Sequence, residues 1–279
     1  MESKKAPGII IKSLIFVIQL ILSLSFLYPL YFMFINSLKT RAGYGMSPFT
    51  LPTGSLQFKN YLTMISQFKI LNLFKNTFII SCVTLVLLLL VGICASYAFS
   101  KLDFKGKKYV YIGIIITLFV PAQVTMIPMY VMFSKVNLIN NFWSVILAYL
   151  AMFLPEAILL MTSNFRGIPG EMLEAGEIDG CNYFQTVWNV IIPMGKPAIF
   201  LTVIFYFILM WNDLFTPMVL LQKMEVRTVM IALATLMQRY TGDPPYQFAG
   251  LLMSSIPAIL IYVVFQRYII KGMTVGAIK

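Results

Sequence analysis

Long apolar runs alternate with short polar connections along the chain. Six of the runs, roughly 13 to 36, 76 to 100, 109 to 134, 142 to 163, 197 to 221 and 249 to 268, match the about 20 residues that a helix needs to cross a bilayer. Stretches such as Ile79 to Ala95 show no alternation of polarity, which sets aside a strand barrel, whose segments of roughly ten residues would alternate. Lipid offers the backbone no hydrogen-bond partners, so helices that satisfy their own N–H and C=O groups are what remain. The pattern predicts an all-α polytopic membrane protein with six transmembrane helices: a tail over 1–12 and a single transmembrane domain over 13–279. Pro121 and Pro128 fall in the third run and predict a kink or a broken helix there, tolerable where neighbouring helices or water meet the freed carbonyls.

Composition points the same way. The chain of 279 residues is 59% hydrophobic and 11% charged, with a mean hydropathy of +0.85, whereas a soluble domain carries about 25% charged residues. Its formal charge of +11 comes from basic residues scattered between the apolar runs, with no stripe or arm of the kind that binds nucleic acid. Cys82, Cys94 and Cys181 have neither metal-ligand spacing nor the arithmetic of a disulfide framework. There is no His, no metal cluster and no nucleophile–base pair, so acid–base and metal catalysis lack their usual groups. No Gly-rich phosphate loop precedes a Lys-Ser/Thr pair, so the chain is read as binding no ATP, cofactor or metal of its own.

The basic residues speak to topology. Lys4, Lys5 and Lys12 precede a first run long enough to span and free of a clear small-residue cleavage site, which reads as a retained helix rather than a signal peptide. Lys101, Lys105, Lys107 and Lys108 crowd the second connection, and Arg267, Lys271 and Lys279 follow the last span. The positive-inside rule then places both termini and the even-numbered connections in the cytoplasm. The extracellular loop over 37–75 also holds Lys39, Arg41, Lys59, Lys69 and Lys75, so the rule is obeyed by density in short loops. Ser47-Pro48-Phe49 and Leu51-Pro52-Thr53-Gly54 read as turns in that loop, and Leu56 to Phe74 has room for a short helix near the membrane surface.

One cytoplasmic connection, 164–196, is unlike the others. Between Arg166 and Gly180 it holds Glu171, Glu174, Glu177 and Asp179, four of the chain's ten acids. Pro169 suits a first helical position, Glu171 and Glu174 favour the positive end of a helix, and Gly180 suits a left-handed stop. A helix over about 170 to 179 follows, then a turn, then a second helix over about 182 to 191 that ends at Pro193. An acidic surface loop beside an amphipathic helix lying on the membrane would have the same composition, and by itself the segment is read that way; what weighs against that reading is the resemblance carried by the residues that follow.

The order Glu174-Ala175-Gly176, three residues, Gly180, nine residues, Val190-Ile191-Ile192-Pro193 resembles the coupling motif of ABC importer permeases, which runs Glu-Ala-Ala, three residues, Gly, nine residues, Ile, any residue, Leu, Pro. Gly176 stands where the motif has its second Ala, and Val190 and Ile192 keep the aliphatic character of Ile and Leu. Gly is the poorer helix former by about 1 kcal/mol. Tyr28-Pro29-Leu30 with Asn36-Ser37-Leu38-Lys39-Thr40, Trp211-Asn212-Asp213 with Thr216-Pro217, and Gln266-Arg267-Tyr268 with Lys271-Gly272 and Thr274-Gly276 are similar to the maltose-type carbohydrate branch, on the side of its second permease. The resemblance covers nearly the whole chain.

What the resemblance implies is a type I ABC importer permease: a transmembrane subunit of the cell membrane that couples ATP hydrolysis by a separate ATPase to alternating access, with ATP and Mg held by that ATPase. Glu171, Glu174, Ala175, Gly176, Asp179, Gly180 and Pro193 are then the coupling residues. The implied partners are a second related permease as a heterodimer, with a homodimer as the alternative, two ATPase subunits, an extracellular or periplasmic solute-binding protein and membrane lipid. A sugar or oligosaccharide is the implied solute, a non-sugar solute the alternative. An ion-coupled secondary transporter would need no acidic dock and should show repeated halves, which the sequence lacks.

Pathway candidates are fewer. Glu156, after Pro155, is the one acid placed well inside a span, and an intramembrane carboxylate is a functional candidate by default. Asn212 and Asp213 lie at the outer end of the fifth span beside Trp211, where packing is an equal reading. Tyr149 joins the pathway set, with Tyr130, Trp143 and Tyr206 behind it, because aromatic residues also anchor membrane interfaces.

Overall fold

The computed structural model describes the backbone of residues 9–239 and 243–277, with side chains over 11–236 and 243–266. Among the described residues the regular structure is helical throughout. Two compact units divide the chain: one takes the described parts of Met1–Ile70 with Leu233–Ser255, the other Leu71–Ala232 with Ile256–Lys279.

In the first unit, α1 (Ile9–Ser37) is apolar on every side, the mark of a span, and becomes buried only at Ile35, Asn36 and Ser37. Its last carbonyls have no partner inside the helix. Asn60, in α3 (Lys59–Ser66), meets that need by donating its amide to the Ser37 and Lys39 carbonyls at 2.7 and 3.1 Å. The buried Lys39 donates Nζ to Ser47 O at 2.7 Å and Pro48 O at 3.3 Å, closing the expected turn behind α2 (Arg41–Met46). Burial lowers the Lys39 pKa by disfavouring its charged form. Lys69, with φ of 49°, breaks the chain after α3. The expected surface helix is therefore this short α3, and the second span starts at Ile70 rather than near 76.

The second unit holds the remaining spans up to the fifth. Its first helix is α4 (Ile70–Lys101), followed by α5 (Lys107–Thr117) and α6 (Ala122–Lys135), which only together are long and apolar enough for a span and are bent by 96° at the break between them. Pro121 sits at the N-cap of α6, so the predicted break is there, while Pro128 is accommodated inside α6. Next comes α7 (Phe142–Arg166), packed along α4. A Cβ on Gly92 would stand 2.6 Å from Met161 Cε, and Ser96 Oγ donates to Ile158 O at 3.2 Å. Among the described residues five helices are long and apolar enough to cross a membrane, and the bent pair, taken as one span, brings the number to six.

The fifth span departs from its expected limits. After α8 (Gly170–Ile178), α9 (Tyr183–Thr186) does not end at Pro193 but runs through a π turn, Val187–Ile191, into α10 (Ile192–Asn212). The wide turn supplies the reason. Ile192 N–H reaches back to Val187 O, so the missing Pro193 donor falls where the regular ladder is already interrupted. At the far end the span stops at Asn212, short of residue 221. Asp213 is extended, and its Oδ1 accepts the Phe215 N–H at 2.9 Å. That contact starts the separate α11 (Phe215–Leu220). The last helices are α12 (Val229–Arg239) and α13 (Pro244–Ala277), whose apolar stretch runs from Pro244 to Gln266. Lys4, Lys5 and Lys279 lie outside the described residues, and Arg267, Lys271 and their neighbours are described by backbone alone.

Candidate functional site

The acidic segment folds as the helix, turn, helix that its sequence predicts. Pro169 is the N-cap of α8, one position outside the first helical place expected for it, and Glu171 lies in the first turn with Glu174 a turn further on. The stop is a complete Schellman closure. Cys181 N–H donates to Gly176 O at 2.9 Å and Gly180 N–H to Glu177 O at 3.0 Å, with Gly180 at φ of 78°. A left-handed backbone costs an L-residue about 1–2 kcal/mol, so glycine is required here by conformation and not by space, since a Cβ would meet nothing within 4 Å.

Beyond the turn a capping box starts α9. Asn182 Oδ1 accepts Gln185 N–H at 3.0 Å, and Gln185 Oε1 accepts Asn182 N–H at 2.8 Å, which satisfies two donors that a helix start leaves open. Gly176 is the buried residue of α8 and packs against Val190 of the π turn, where a Cβ would stand 3.5 Å from Val190 Cγ2. Glu171, Glu174, Ala175 and Asp179 are exposed, as is Pro193. So are Ile178, Tyr183, Phe184 and Trp188, each more than 65% accessible. The hairpin thus carries acids and large apolar groups on an outer surface while its glycines face inward or make its turn. Gly176 serves the packing of the two helices on each other.

A second group of candidates gathers between α7 and α10. Tyr149 stacks on Phe153 with ring centroids 5.4 Å apart, and Phe153 lies 5.2 Å from Tyr206. Glu156, exposed one turn beyond Phe153, lies within electrostatic reach of the Tyr206 hydroxyl. At the other end Asp213 lies within electrostatic reach of Tyr149, whose buried hydroxyl lacks a hydrogen bond of regular geometry. Asn212 does not join them, because its Nδ2 donates to Ile208 O in its own helix at 2.8 Å. Trp143 is exposed, and Tyr130 instead accepts a long contact from Gln222 Nε2 at 3.5 Å.

Sequence reasoning missed the residues that pin the connections. Asn140, at φ of 64°, accepts both Gln222 and Lys223 N–H on Oδ1 at 2.6 and 2.7 Å. Asn76 donates to Glu225 O and Arg227 O at 2.9 and 3.0 Å. Asn tolerates positive φ better than most residues, but nothing local in the sequence pairs position 140 with 222 or 76 with 225. Among the described residues no group of three His, Cys, Asp or Glu side chains is placed to hold a metal ion.

Comparison with known proteins places this arrangement in context. Residues 89–275 match the family described as "Binding-protein-dependent transport system inner membrane component". The chain is 32% identical over 206 residues to the arabinooligosaccharides transport system permease protein AraQ of Halalkalibacterium halodurans, covering 74% of this chain and 73% of that one. It is 28% identical to the diacetylchitobiose uptake system permease protein NgcG of Streptomyces coelicolor over 90% of its own length and 83% of the relative's. Its fold superposes with a TM-score of 0.82 and 25% identity on a chain from the crystal structure of a bacterial ABC transporter involved in the import of the acidic polysaccharide alginate, covering 96% of this chain and 99% of that one.

Proposed function

Since the chain belongs to the family of binding-protein-dependent transport system inner membrane components, we propose that it is the transmembrane subunit through which a separate ATPase drives import of an oligosaccharide delivered by a solute-binding protein. The observation that carries the reading is the α8 to α9 hairpin. Its turn is closed by Gly180, its interior packs through Gly176 on Val190, and Glu171, Glu174, Ala175 and Asp179 point away from the fold. A rigid acidic knob with exposed Ile178, Tyr183 and Phe184 suits a cleft on a partner that offers basic or amide donors around an apolar floor. Nucleotide and its metal belong to that partner, which supplies the energy.

Sidedness follows from the same assignment. The hairpin faces the cytoplasm, where the ATPase is, and the dense lysines at Lys101 to Lys108 lie on that side as the positive-inside rule requires. The termini are cytoplasmic, and the loop over 37–75 is extracytoplasmic. A second, related permease completes the pathway, because one six-helix chain is too small to enclose an oligosaccharide; two ATPase subunits serve the pair. Support for a carbohydrate comes from the relatives named for arabinooligosaccharides and diacetylchitobiose and from the likeness to the alginate transporter. Glu156 is exposed and Asp213 half-buried, so both offer hydrogen-bond acceptors to a hydroxyl-rich solute, while the Tyr149 and Tyr206 rings are buried beneath them.

The test replaces Gly180 by Val, which strains the turn without filling occupied space. In liposomes holding the full importer, ATP hydrolysis in Gly180→Val should lose its response to loaded binding protein and uptake should fall. Undiminished, solute-stimulated transport would overturn the assignment of the hairpin as the dock.

A further inference from the structure

The joint between the seventh helix and the hairpin is held from outside by one side chain. Lys101, the last residue of α4, donates Nζ to Arg166 O at 3.2 Å and to Ile168 O at 2.5 Å. Arg166 ends α7, Gly167 is its C-cap, Ile168 is buried and Pro169 opens α8. The end of a helix leaves its last carbonyls unpaired, and a cation there is favoured both as a donor and by the helix dipole. Lys101 therefore does for α7 what a cap does, but from a different helix, and it also grips the carbonyl one residue before the α8 N-cap.

Above that joint α4 and α7 are locked side by side. Gly92 admits Met161, and Ser96 donates to Ile158 O at 3.2 Å, so α4 and α7 also touch at 92 and 96, against 161 and 158, apart from the Lys101 contact itself. Arg166 is held a second way, with its guanidinium 5.5 Å from the centre of the Tyr111 ring in α5. Charged donors give the stronger hydrogen bonds of their kind, and this one spans the short link, 167 to 169, between α7 and the hairpin.

We infer that Lys101 is a positioning residue that makes α4 and α7 move as one body with the α8 hairpin, so that displacement of the hairpin reaches the membrane helices instead of being absorbed at Gly167. This rests on the hairpin being the ATPase dock. Without the latch the hairpin still folds, because its caps and turn are internal to 170–191, and the ATPase still finds it. What is lost is transmission. Coupling between sites carried by a discrete contact is typically worth 1–3 kcal/mol, or about 5- to 150-fold, so removal of the Nζ donor should lower the ratio of solute moved to ATP hydrolysed by roughly fivefold or more.

The experiment compares Lys101→Met, which keeps the apolar stem, with Lys101→Arg, which keeps charged donors, in the complete importer reconstituted with its ATPase and binding protein. Lys101→Met is expected to bring down the ATPase as wild type does while uptake per ATP falls, and Lys101→Arg to restore most of the ratio, which a purely structural role for the stem would not predict. A wild-type ratio in Lys101→Met overturns the inference. If Gly180→Val also leaves the ratio unchanged, the docking reading fails as well; if Gly180→Val uncouples and Lys101→Met does not, the latch alone is wrong. Should Lys101→Met assemble poorly, amide exchange over 166–178 in the solubilised chain decides: faster exchange than wild type supports the latch, equal exchange removes it.

Discussion

Cε1 of the Phe165 ring lies 2.5 Å from the point where a β-carbon on Gly195 would stand. The glycine lets α10 pass directly over the last turn of α7, at the level where both helices meet the hairpin. Phe165 is fully buried, and a ring in a packed interior has nowhere to swing. Gly195→Ala is therefore expected to cost about 1–3 kcal/mol through overpacking and to lower the thermal midpoint of the solubilised chain. Gly92→Ala makes a useful contrast. Its clash is with the terminal methyl of Met161, the end of a flexible side chain, so its midpoint should fall less. Equal losses would mean that Phe165 is not confined as described.

Gly176→Ala is expected to act in the opposite direction. Its Cβ would meet Val190 in ordinary van der Waals contact at 3.5 Å, and alanine favours a helix interior over glycine by about 1 kcal/mol. Amide exchange across α8 should slow while uptake is retained. Faster exchange would show that Gly176 is needed for closer packing than the structure has.

The capping box offers a separate handle on the same hairpin. Asn182→Ala removes the acceptor for Gln185 N–H and should cost about 1 kcal/mol, read as loss of exchange protection over 183–186 with α8 unaffected. Loss of protection in α8 as well would show that the two helices form one cooperative unit.

In the pathway, Glu156→Gln keeps shape and removes charge. If the carboxylate binds solute, uptake should fall severalfold with the ATPase still co-purifying, and Tyr206→Phe, which deletes the hydroxyl beside it, should lower uptake in the same direction. Normal uptake in both variants would leave this pair a packing feature facing a partner helix.

How much of this was legible in the sequence depends on how local the cause is. The hairpin was readable because each of its signals acts within a few residues: Pro169 at the start, acids along the outer face, Gly180 at a position that needs positive φ. Pro121 announced the break in the third span for the same reason. Pro193 misled, since a proline normally ends a helix, and the π turn that accommodates it depends on how Val187 and Ile191 pack. The end of the fifth span at Asn212 was hidden in an Asp213 cap that hydropathy averages over. Lys101, Asn140 and Asn76 were unreadable because each acts on a carbonyl or amide more than 60 residues away. For the pathway candidates, the sequence supplied Glu156, Asp213, Tyr149 and Tyr206 but not how they pair, which required α7 and α10 to be side by side.

The most direct measurement is to purify the tagged chain gently from its native membrane and identify by mass spectrometry what accompanies it. A P-loop ATPase and a second six-span permease should come with the wild-type chain, and the ATPase should be depleted when Gly180 is replaced by Val. A chain that carries solute alone in liposomes without ATP, or that retains its full complement of partners with the hairpin turn strained, would contradict the account.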